Sequence, residues 1–416
     1  MAGWTVCPRS GTPVPFRLSM GPTDEGGRGS IAEQARPGWL SGRVALLGAL
    51  AISIAVVVGF SISLLGGVGS TSGRTATAIP QQKFFGIAQG ISRFDNEDLQ
   101  TMATTGIGMD RFLLDWAAVQ PTPNGPLAWP DKAIGALASH GIEAIPYLWG
   151  SPKWVAAAQQ VAPVDNPQQE NAWRSFLEAV VERYGPKGSY WANEYLQQYG
   201  ANAKPVPIRS WQIWNEPNLK KFFTPGADVH ETAQKYARLL QISRDAIKGQ
   251  DPQARIVLAG LPGFGDVTAS EFFAAFYGVP GVKGDYDAAA LHPYAPNVED
   301  LGHQIDQLRA TMAEHSDQAT PLWLTELGWG SGAPDRFRLN KGLVGQAQLL
   351  NGAFELILNH QRAWNVQRVF WFDWRDPAPA SQLAGTCSFC LSAGLLRYTR
   401  DPKPSYLAFK KFAGGG

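Results

Sequence analysis

Two glutamates lie where a pair of carboxyl groups could act on one bond. Glu216 is part of the segment SWQIWNEPN (210–218), and Glu326 is part of LWLTELGWG (322–330). Cleavage of a glycosidic bond needs such a pair, because one carboxylic acid protonates the leaving oxygen and the other carboxylate attacks or stabilises the oxocarbenium-like carbon. Surrounding tryptophans would raise the pKa of the proton donor, since an apolar environment disfavours the carboxylate. The residue types thus predict a two-carboxylate site.

Other polar residues could tune these carboxyl groups. Arg111 and the hydroxyl of Tyr294 would both favour an ionised nucleophile. Each candidate also has a structural interpretation: a glutamate at a strand end can cap a helix, Arg111 can be a buried ion-pair partner, and His292 can be a structural hydrogen-bonding residue. The six histidines are scattered, with none at metal-ligand spacing from His292. We therefore predict no metal site.

Strand-like and helix-like segments alternate from residue 84 onward. The helical patterns carry apolar residues at three- and four-residue spacing and acids or Asn in the first turn. Eight strand–helix units predict an α/β protein, a (β/α)8 TIM barrel. An open doubly wound sheet is the alternative, but no glycine-rich phosphate-binding turn follows the first strand. The predicted strands are 84–90, 107–116, 143–150, 209–216, 255–261, 286–294, 321–329 and 368–375.

In such a barrel the carboxyl-terminal strand ends share one face, where catalytic residues lie. Glu216 is predicted at the end of the fourth strand and Glu326 near the end of the seventh, so both can face one central cleft. The other strand ends contribute Arg111, Trp116, Trp149, Asn215, His292, Tyr294, Trp371, Asp373 and Trp374.

Composition narrows the choice of partner. The chain has 416 residues and a formal net charge of +1, so it shows no sign of a nucleic-acid surface. It also has 15 tryptophans, some of which must fill the core. The flat apolar faces of the others suit stacking on sugar rings. A carbohydrate is therefore the predicted partner, and nucleic acid is not.

The first 82 residues differ from the rest. The apolar segment 44–65 is long enough to span a bilayer core and too long for the apolar region of a cleavable signal. Five arginines precede it, so the positive-inside rule predicts a cytoplasmic N-terminus and an extracytoplasmic C-terminal part. We therefore predict a disordered cytoplasmic lead (1–43), a single transmembrane signal anchor (44–65), a linker (66–82) and a barrel domain (83–416). Cleavage after Ala78 would make the barrel a secreted protein.

Cys387 and Cys390 form a CSFC pair. Two cysteines are too few for a structural zinc site, and no βαβ redox context surrounds them. Outside the cytoplasm a small disulfide is the favoured interpretation, and a pair of free thiols is the alternative.

Four segments resemble the retaining barrel glycoside hydrolases that carry glutamates on strands four and seven, and most closely family 39. SWQIWNEPNLKKFF (210–223) resembles their acid/base motif, and LWLTELGWG (322–330) resembles their nucleophile strand. LHPYA (291–295) resembles the segment after strand six, and RFLLDW (111–116) resembles the arginine-bearing second strand. The likeness extends over about 84–412.

The resemblance implies roles for individual residues. Glu216 would be the general acid/base, Glu326 the nucleophile, and Asn215 the contact to the sugar 2-hydroxyl. It further implies that the nucleophile is surrounded by Arg111, His292 and Tyr294, and that sugar-stacking walls are formed by Trp149, Trp154 and Trp374. The implied mechanism is double displacement with retention and no cofactor.

The sequence as a whole predicts a membrane-anchored, extracytoplasmic retaining glycosidase that acts on a polysaccharide or glycoconjugate. A non-catalytic glycan-binding protein on the same barrel is one alternative, because a fold does not fix a function. A transglycosylase that uses the same two glutamates is another.

Overall fold

The computed structural model describes residues 83–90, 94–334, 338–379 and 387–414. All strands of its sheet run parallel, in the hydrogen-bonded order β5-β4-β3-β2-β1-β9-β8-β7-β6. The strands are β1 (Phe85–Ala88), β2 (Met109–Asp115), β3 (Glu143–Trp149), β4 (Ser210–Ile213), β5 (Arg255–Val257), β6 (Leu261–Pro262), β7 (Ala289–His292), β8 (Leu322–Leu327) and β9 (Val366–Trp371).

The sheet fits a TIM barrel with eight strand positions. A bridge between Val257 and Ala288 joins β5 to the residue before β7. β5 and β6 therefore share the fifth position, which is interrupted at residues 258–260. The observed sheet fits the predicted barrel; seven of the eight predicted strands contain an observed one, and the eighth, 368–375, overlaps β9. The strands are rich in branched and aromatic residues and almost wholly buried, as expected for a parallel sheet covered by helices.

Eleven α-helices lie in the described part of the chain, and polar caps fix where several of them begin. The Asp95 side chain accepts hydrogen bonds from the backbone N–H groups of Glu97 and Asp98 at the start of α1, and Thr268 and Glu271 form a capping box at the start of α8. The helices are α1 (Asn96–Thr105), α2 (Trp116–Val119), α3 (Asp131–Ser139), α4 (Pro167–Tyr184), α5 (Ser189–Ala192), α6 (Glu194–Tyr199), α7 (Val229–Gln250), α8 (Ala269–Tyr277), α9 (Val298–Glu314), α10 (Gly342–His360) and α11 (Pro404–Ala413), with short 3-10 turns at Val282–Gly284 and Phe389–Leu391.

Aromatic packing joins the first strand to the last helices. The Phe85 ring of β1 stacks on Phe354 of α10 at a centroid distance of 4.4 Å, and Phe409 of α11 lies 6.3 Å from it. Each buried phenylalanine contributes about 1.5–3 kcal/mol through removal of apolar surface from water. This cluster packs the last two helices against β1, which pairs with β9 in the sheet.

Within the described residues, no helix is both long enough and apolar enough to cross a membrane. This finding corrects two predictions: neither the transmembrane helix in front of the barrel nor the single-pass membrane localisation with an extracytoplasmic domain is supported. The physical reason is that α4, α7 and α10, which have the length, carry polar residues along one face and pack on the barrel with the other. The segments 1–43, 44–65 and 66–82 lie outside the described residues.

Candidate active site

Glu216 lies just beyond β4, in a loop with an unusual backbone. Trp214 and Glu216 both adopt left-handed conformations, with φ of 71° and 44°. Residues with side chains seldom adopt this region, so surrounding contacts must hold the loop in place. The Glu216 N–H donates to the Gly260 carbonyl at 3.2 Å, and the Trp214 indole donates to the Phe222 carbonyl at 2.6 Å. These bonds turn the Glu216 carboxyl inward, three residues after the strand ends.

The interruption of the fifth strand supplies anchors for this loop. The Tyr236 hydroxyl, from α7, donates to the Ile213 carbonyl at 3.0 Å and accepts from the Ala259 N–H at 2.7 Å. The Leu258 carbonyl accepts from Gln212 Nε2 at 2.9 Å. In a regular strand these backbone groups would bond to the neighbouring strand. Here they hold the end of β4 instead.

Arg111 joins the two halves of the site. Its guanidinium donates to Glu326 Oε1 at 2.5 Å, to Asn215 Oδ1 at 2.8 Å and to Gln212 Oε1 at 2.5 Å. It also lies 4.2 Å above the Tyr147 ring. Arg111 is 1% exposed, and a guanidinium so buried needs this full set of partners. The three bonds fix Glu326, Asn215 and β4 relative to β2.

Glu326 is held as a carboxylate. Its Oε2 accepts a hydrogen bond from the Tyr294 hydroxyl at 2.8 Å. Burial alone would raise the pKa of Glu326, but its electrostatic interactions with His292 and Arg111 and the hydrogen bonds from Tyr294 and Arg111 outweigh burial and lower that pKa. Burial and the Glu326 charge raise the pKa of the Tyr294 phenol well above its ordinary value, so this hydroxyl remains a donor.

A chain of hydrogen bonds leads from Arg111 to Glu216. Gln212 Nε2 lies 3.2 Å from Thr325 Oγ1, Thr325 Oγ1 lies 3.0 Å from His292 Nε2, and His292 Nδ1 lies 2.8 Å from Glu216 Oε1. The amide of Gln212 can only donate to Thr325, which leaves the threonine proton for His292 Nε2. His292 then carries its own proton on Nδ1 and donates it to Glu216. The order of donors therefore selects one tautomer of His292.

The two carboxyl groups lie close together. Glu216, His292 and Glu326 each place one polar atom within 4.8 Å of the others. This set could in principle bind a cation, but Arg111 and Tyr294 already occupy one oxygen each of Glu326, and the Arg111 charge opposes a second cation. A separation of about 5 Å between carboxyl groups is typical of retaining glycosidases, whereas inverting enzymes need roughly 6.5–9.5 Å for a water molecule.

Comparison with known proteins decides the family. The model of the glycosyl hydrolase catalytic core matches residues 127–388. The chain belongs to this glycosyl hydrolase family. The predicted glycoside hydrolase class and the predicted resemblance to the two-glutamate barrel enzymes are thereby confirmed.

Individual relatives agree with this assignment. A β-xylosidase from Caldicellulosiruptor saccharolyticus is 25% identical over 250 residues, which are 55% of this glycosyl hydrolase and 45% of that relative; the chain thus matches less than half the length of that protein. A family 39 glycoside hydrolase from Bacteroides cellulosilyticus WH2 has a TM-score of 0.56 at 18% identity, covering 81% of this chain and 65% of that one. A monomeric β-xylosidase from Caulobacter crescentus CB15 has a TM-score of 0.56 at 18% identity, covering 80% of this chain and 68% of that one. At this identity the two structures show the shared fold.

The three tryptophans predicted as stacking walls differ in position. Trp149 is largely buried beside Trp214 and donates to the Phe222 carbonyl at 3.0 Å, so it supports the Glu216 loop. Trp154 is half-buried and retains exposed surface. Trp374 is fully buried and donates to Asp98 of α1 at 3.1 Å. Because a side chain without exposed surface cannot stack on a sugar, the predicted role of Trp374 is not supported.

Several residues of this glycosyl hydrolase site were not predicted. Gln212 and Thr325 form the chain to His292, and Gly260 leaves the space that His292 occupies, since a Cβ atom there would overlap the imidazole. Lys221 is a further cation near the two glutamates; burial lowers its pKa to about 8, although Glu216 and Glu326 act in the opposite direction. A polar residue in the middle of an apolar strand was the available signal for Gln212 and Thr325.

Proposed function

We propose that this protein hydrolyses O-glycosidic bonds of a polysaccharide or glycoconjugate by double displacement, with Glu326 as nucleophile and Glu216 as general acid/base. The observation that carries the proposal is the short separation, within 4.8 Å, between oxygens of these two carboxyl groups. This spacing leaves no room for a water molecule between an attacking base and the sugar, so the carboxylate itself must attack.

Glu326 suits the attacking role because its environment favours the charged form. Arg111 and Tyr294 bind different oxygens of the carboxylate, which holds its plane fixed. In the first step a Glu326 oxygen forms a bond to the anomeric carbon as the bond to the leaving oxygen breaks. In the second step water displaces Glu326 and restores the original configuration.

Glu216 suits proton transfer because only one of its oxygens has a protein partner in the described structure. The His292 N–H donates to Oε1, so Oε2 can carry the proton toward the leaving oxygen. After departure of the leaving group, the same oxygen takes a proton from the attacking water. His292 thereby orients the acid without competing for its proton.

Asn215, Trp149 and Trp154 complete the proposed substrate site. Asn215 Oδ1 accepts from Arg111 at 2.8 Å, which leaves the amide N–H groups to donate to a sugar hydroxyl such as the 2-hydroxyl. Trp154 offers a partly exposed face for stacking, while Trp149 backs the loop. Because two of the similar proteins are named β-xylosidases, an aryl β-xyloside is the first substrate to test.

Variants of the two glutamates test these roles in the full-length protein. Glu216→Gln should lose hydrolysis of glycans with poor leaving groups but retain activity on a dinitrophenyl glycoside, which departs without protonation. Glu326→Gln should be inactive on both. Glu182→Gln, at an exposed position of α4, is the matched control. Unchanged activity of either site variant on an unactivated glycan would remove that glutamate from its proposed role.

Azide shows which glutamate is the nucleophile and which is the general acid/base. With Glu216→Ala, azide should replace water in the second step and give a glycosyl azide of retained configuration; with Glu326→Ala, it should attack directly and give the inverted azide. Product analysis with an added acceptor sugar separates hydrolysis from transglycosylation, since both pass through the same glycosyl-enzyme.

A further inference from the structure

The CSFC segment lies against the tyrosine that binds Glu326. Cys387 and Cys390 form a disulfide, and the loop that it closes contains Phe389. The Phe389 ring centroid lies 5.2 Å from that of Tyr294. Phe372 lies 6.2 Å from Phe389 and 6.4 Å from Tyr294. Three aromatic rings thus pack together, and one of them is the tyrosine that binds Glu326.

Tyr294 depends on packing for its position. Its backbone is held by a hydrogen bond from Gln304 Nε2 to its carbonyl at 2.9 Å, but its ring can rotate about the side-chain bonds unless neighbouring groups prevent it. The phenol has its hydrogen bond to Glu326 Oε2 at 2.8 Å, a contact that a small rotation would lengthen. Phe389 and Phe372 lie where they limit that rotation.

The loop itself is anchored from behind. The Ser392 carbonyl accepts hydrogen bonds from the Ser331 N–H at 2.8 Å and from Lys403 Nζ at 3.0 Å. Gln346 Nε2 adds a third, at 3.2 Å. The disulfide ties Cys387 to this fixed end through Cys390. The orientation of Phe389 toward Tyr294 is therefore maintained by a covalent link as well as by packing.

We propose that Phe389, held by the Cys387–Cys390 disulfide, is a positioning residue for Tyr294 and, through it, for Glu326. The inference rests on the proposed role of Glu326 as nucleophile. Loss of Phe389 lets the phenol move away from Oε2, so Glu326 loses one of the bonds that orient it and stabilise its charge. The first chemical step slows, and the carboxylate ionises at higher pH.

A double-mutant cycle tests whether Phe389 acts through Tyr294. We expect Phe389→Ala to reduce kcat/KM by roughly 10- to 100-fold, as for a small misplacement of a reacting group, and to move the acid limb of the pH profile upward. Phe389→Leu should restore part of the activity. On a Tyr294→Phe background, Phe389→Ala should cost less than threefold, because the bond that it protects is already absent. Phe273→Ala, which removes a buried ring of α8 away from the site, should combine additively with Tyr294→Phe.

The disulfide is tested separately. Reduction by a dithiol converts the bond to two thiols while the reductant becomes a cyclic disulfide, so two electrons and two protons are transferred. Reduction and the Cys387→Ser/Cys390→Ser double variant should both lower kcat/KM and shift the acid limb as Phe389→Ala does, and the double variant should not respond to dithiol.

The outcomes distinguish this inference from the proposed function. Additive effects of Phe389→Ala and Tyr294→Phe, or an unshifted acid limb in Phe389→Ala and the double serine variant, would overturn the positioning role. Full activity of Glu326→Gln in the same assays would instead overturn the assignment of the nucleophile.

Discussion

His292 Nδ1 lies 2.8 Å from Glu216 Oε1, while its Nε2 lies 3.0 Å from the Thr325 hydroxyl. The two bonds place one imidazole between the proposed acid/base and a residue adjacent to the proposed nucleophile. Since Thr325 accepts from Gln212 and donates to Nε2, the tautomer of His292 is determined by residues that do not touch Glu216. The hydrogen bond that orients Glu216 therefore depends on a threonine in β8.

Removal of the threonine hydroxyl should weaken catalysis. In Thr325→Val, His292 Nε2 loses its hydrogen-bond donor, so the imidazole proton is no longer confined to Nδ1 and the hydrogen bond to Glu216 Oε1 is weakened. We expect kcat/KM to fall roughly five- to tenfold, the equivalent of one hydrogen bond of about 1 kcal/mol. Thr325→Ser should behave like the wild type. A Thr325→Val enzyme with the wild-type kcat/KM would contradict this order of donors.

Removal of Arg111 should weaken both the fold and the catalyst. Loss of one partner of a buried ion pair costs about 3–5 kcal/mol, so Arg111→Met should lower the free energy of unfolding in urea by that amount. The control is Arg238→Met, because Arg238 pairs with Glu170 at the surface, where an ion pair contributes about 0–1 kcal/mol. Equal losses in the two variants would refute the importance of the Arg111 contacts.

The pH dependence of the Arg111 variant has a definite sign. The folded-state pKa of Glu326 is lowered, so Glu326 contributes stability above its unfolded pKa, and this contribution is lost as pH falls through the folded pKa. Arg111→Met removes one cause of the lowering. We expect the acid limb of kcat/KM to shift to higher pH and the acid-side loss of stability to begin at higher pH. An unshifted limb would mean that Arg111 does not stabilise the charged nucleophile.

Lys221 should impose a dependence of the same sign at high pH. Its pKa is about 8 in the folded protein against an ordinary value of 10.5. Between these values the unfolded chain binds a proton that the folded protein does not, so the free energy of unfolding should rise with pH. Lys221→Met should abolish this rise, and Lys220→Met, at the adjacent exposed residue, should retain it. Urea unfolding across this pH range measures the free energy of unfolding of both variants. If that free energy still rises with pH in Lys221→Met, Lys221 is excluded as the source of the rise.

Gly260 should tolerate no side chain. A Cβ atom there would overlap His292 Nε2 and crowd Thr325 Oγ1, both of which are fully buried. We expect Gly260→Ala to destabilise the protein by about 1–3 kcal/mol through overpacking. We also expect the factor by which kcat falls to be larger than the factor by which KM changes. Gly249→Ala, in α7, meets no neighbouring atom and should be neutral or slightly stabilising. Wild-type kcat in Gly260→Ala would show that the imidazole can shift without loss.

Much of the fold could be predicted from sequence because parallel barrels have a strong periodic signature. Eight buried apolar segments alternate with amphipathic helices, and polar residues at the segment ends mark one face. That face brings together Arg111, Asn215, Glu216, His292, Tyr294 and Glu326, from strands that are far apart in the chain.

The remaining features depend on packing that periodicity does not encode. Trp374 follows a strand end as Glu216 does, but its indole turns away from the cleft toward Asp98. Gln212 and Thr325 look like ordinary strand residues until the barrel closes and places them side by side. The left-handed backbone at Glu216 requires contacts from the interrupted fifth strand, and the conformational propensities of the neighbouring residues do not predict it.

The interruption of the fifth strand has a consequence for protein design. Leu258, Ala259 and Gly260 direct backbone groups to Gln212, Tyr236 and Glu216 instead of continuing a regular ladder. An idealised barrel would repair this gap, because regular strands are easier to build and more stable. A designer who transfers only the two glutamates to such a scaffold would therefore lose the backbone contacts that hold them. The irregular fifth strand must be transferred together with the two glutamates.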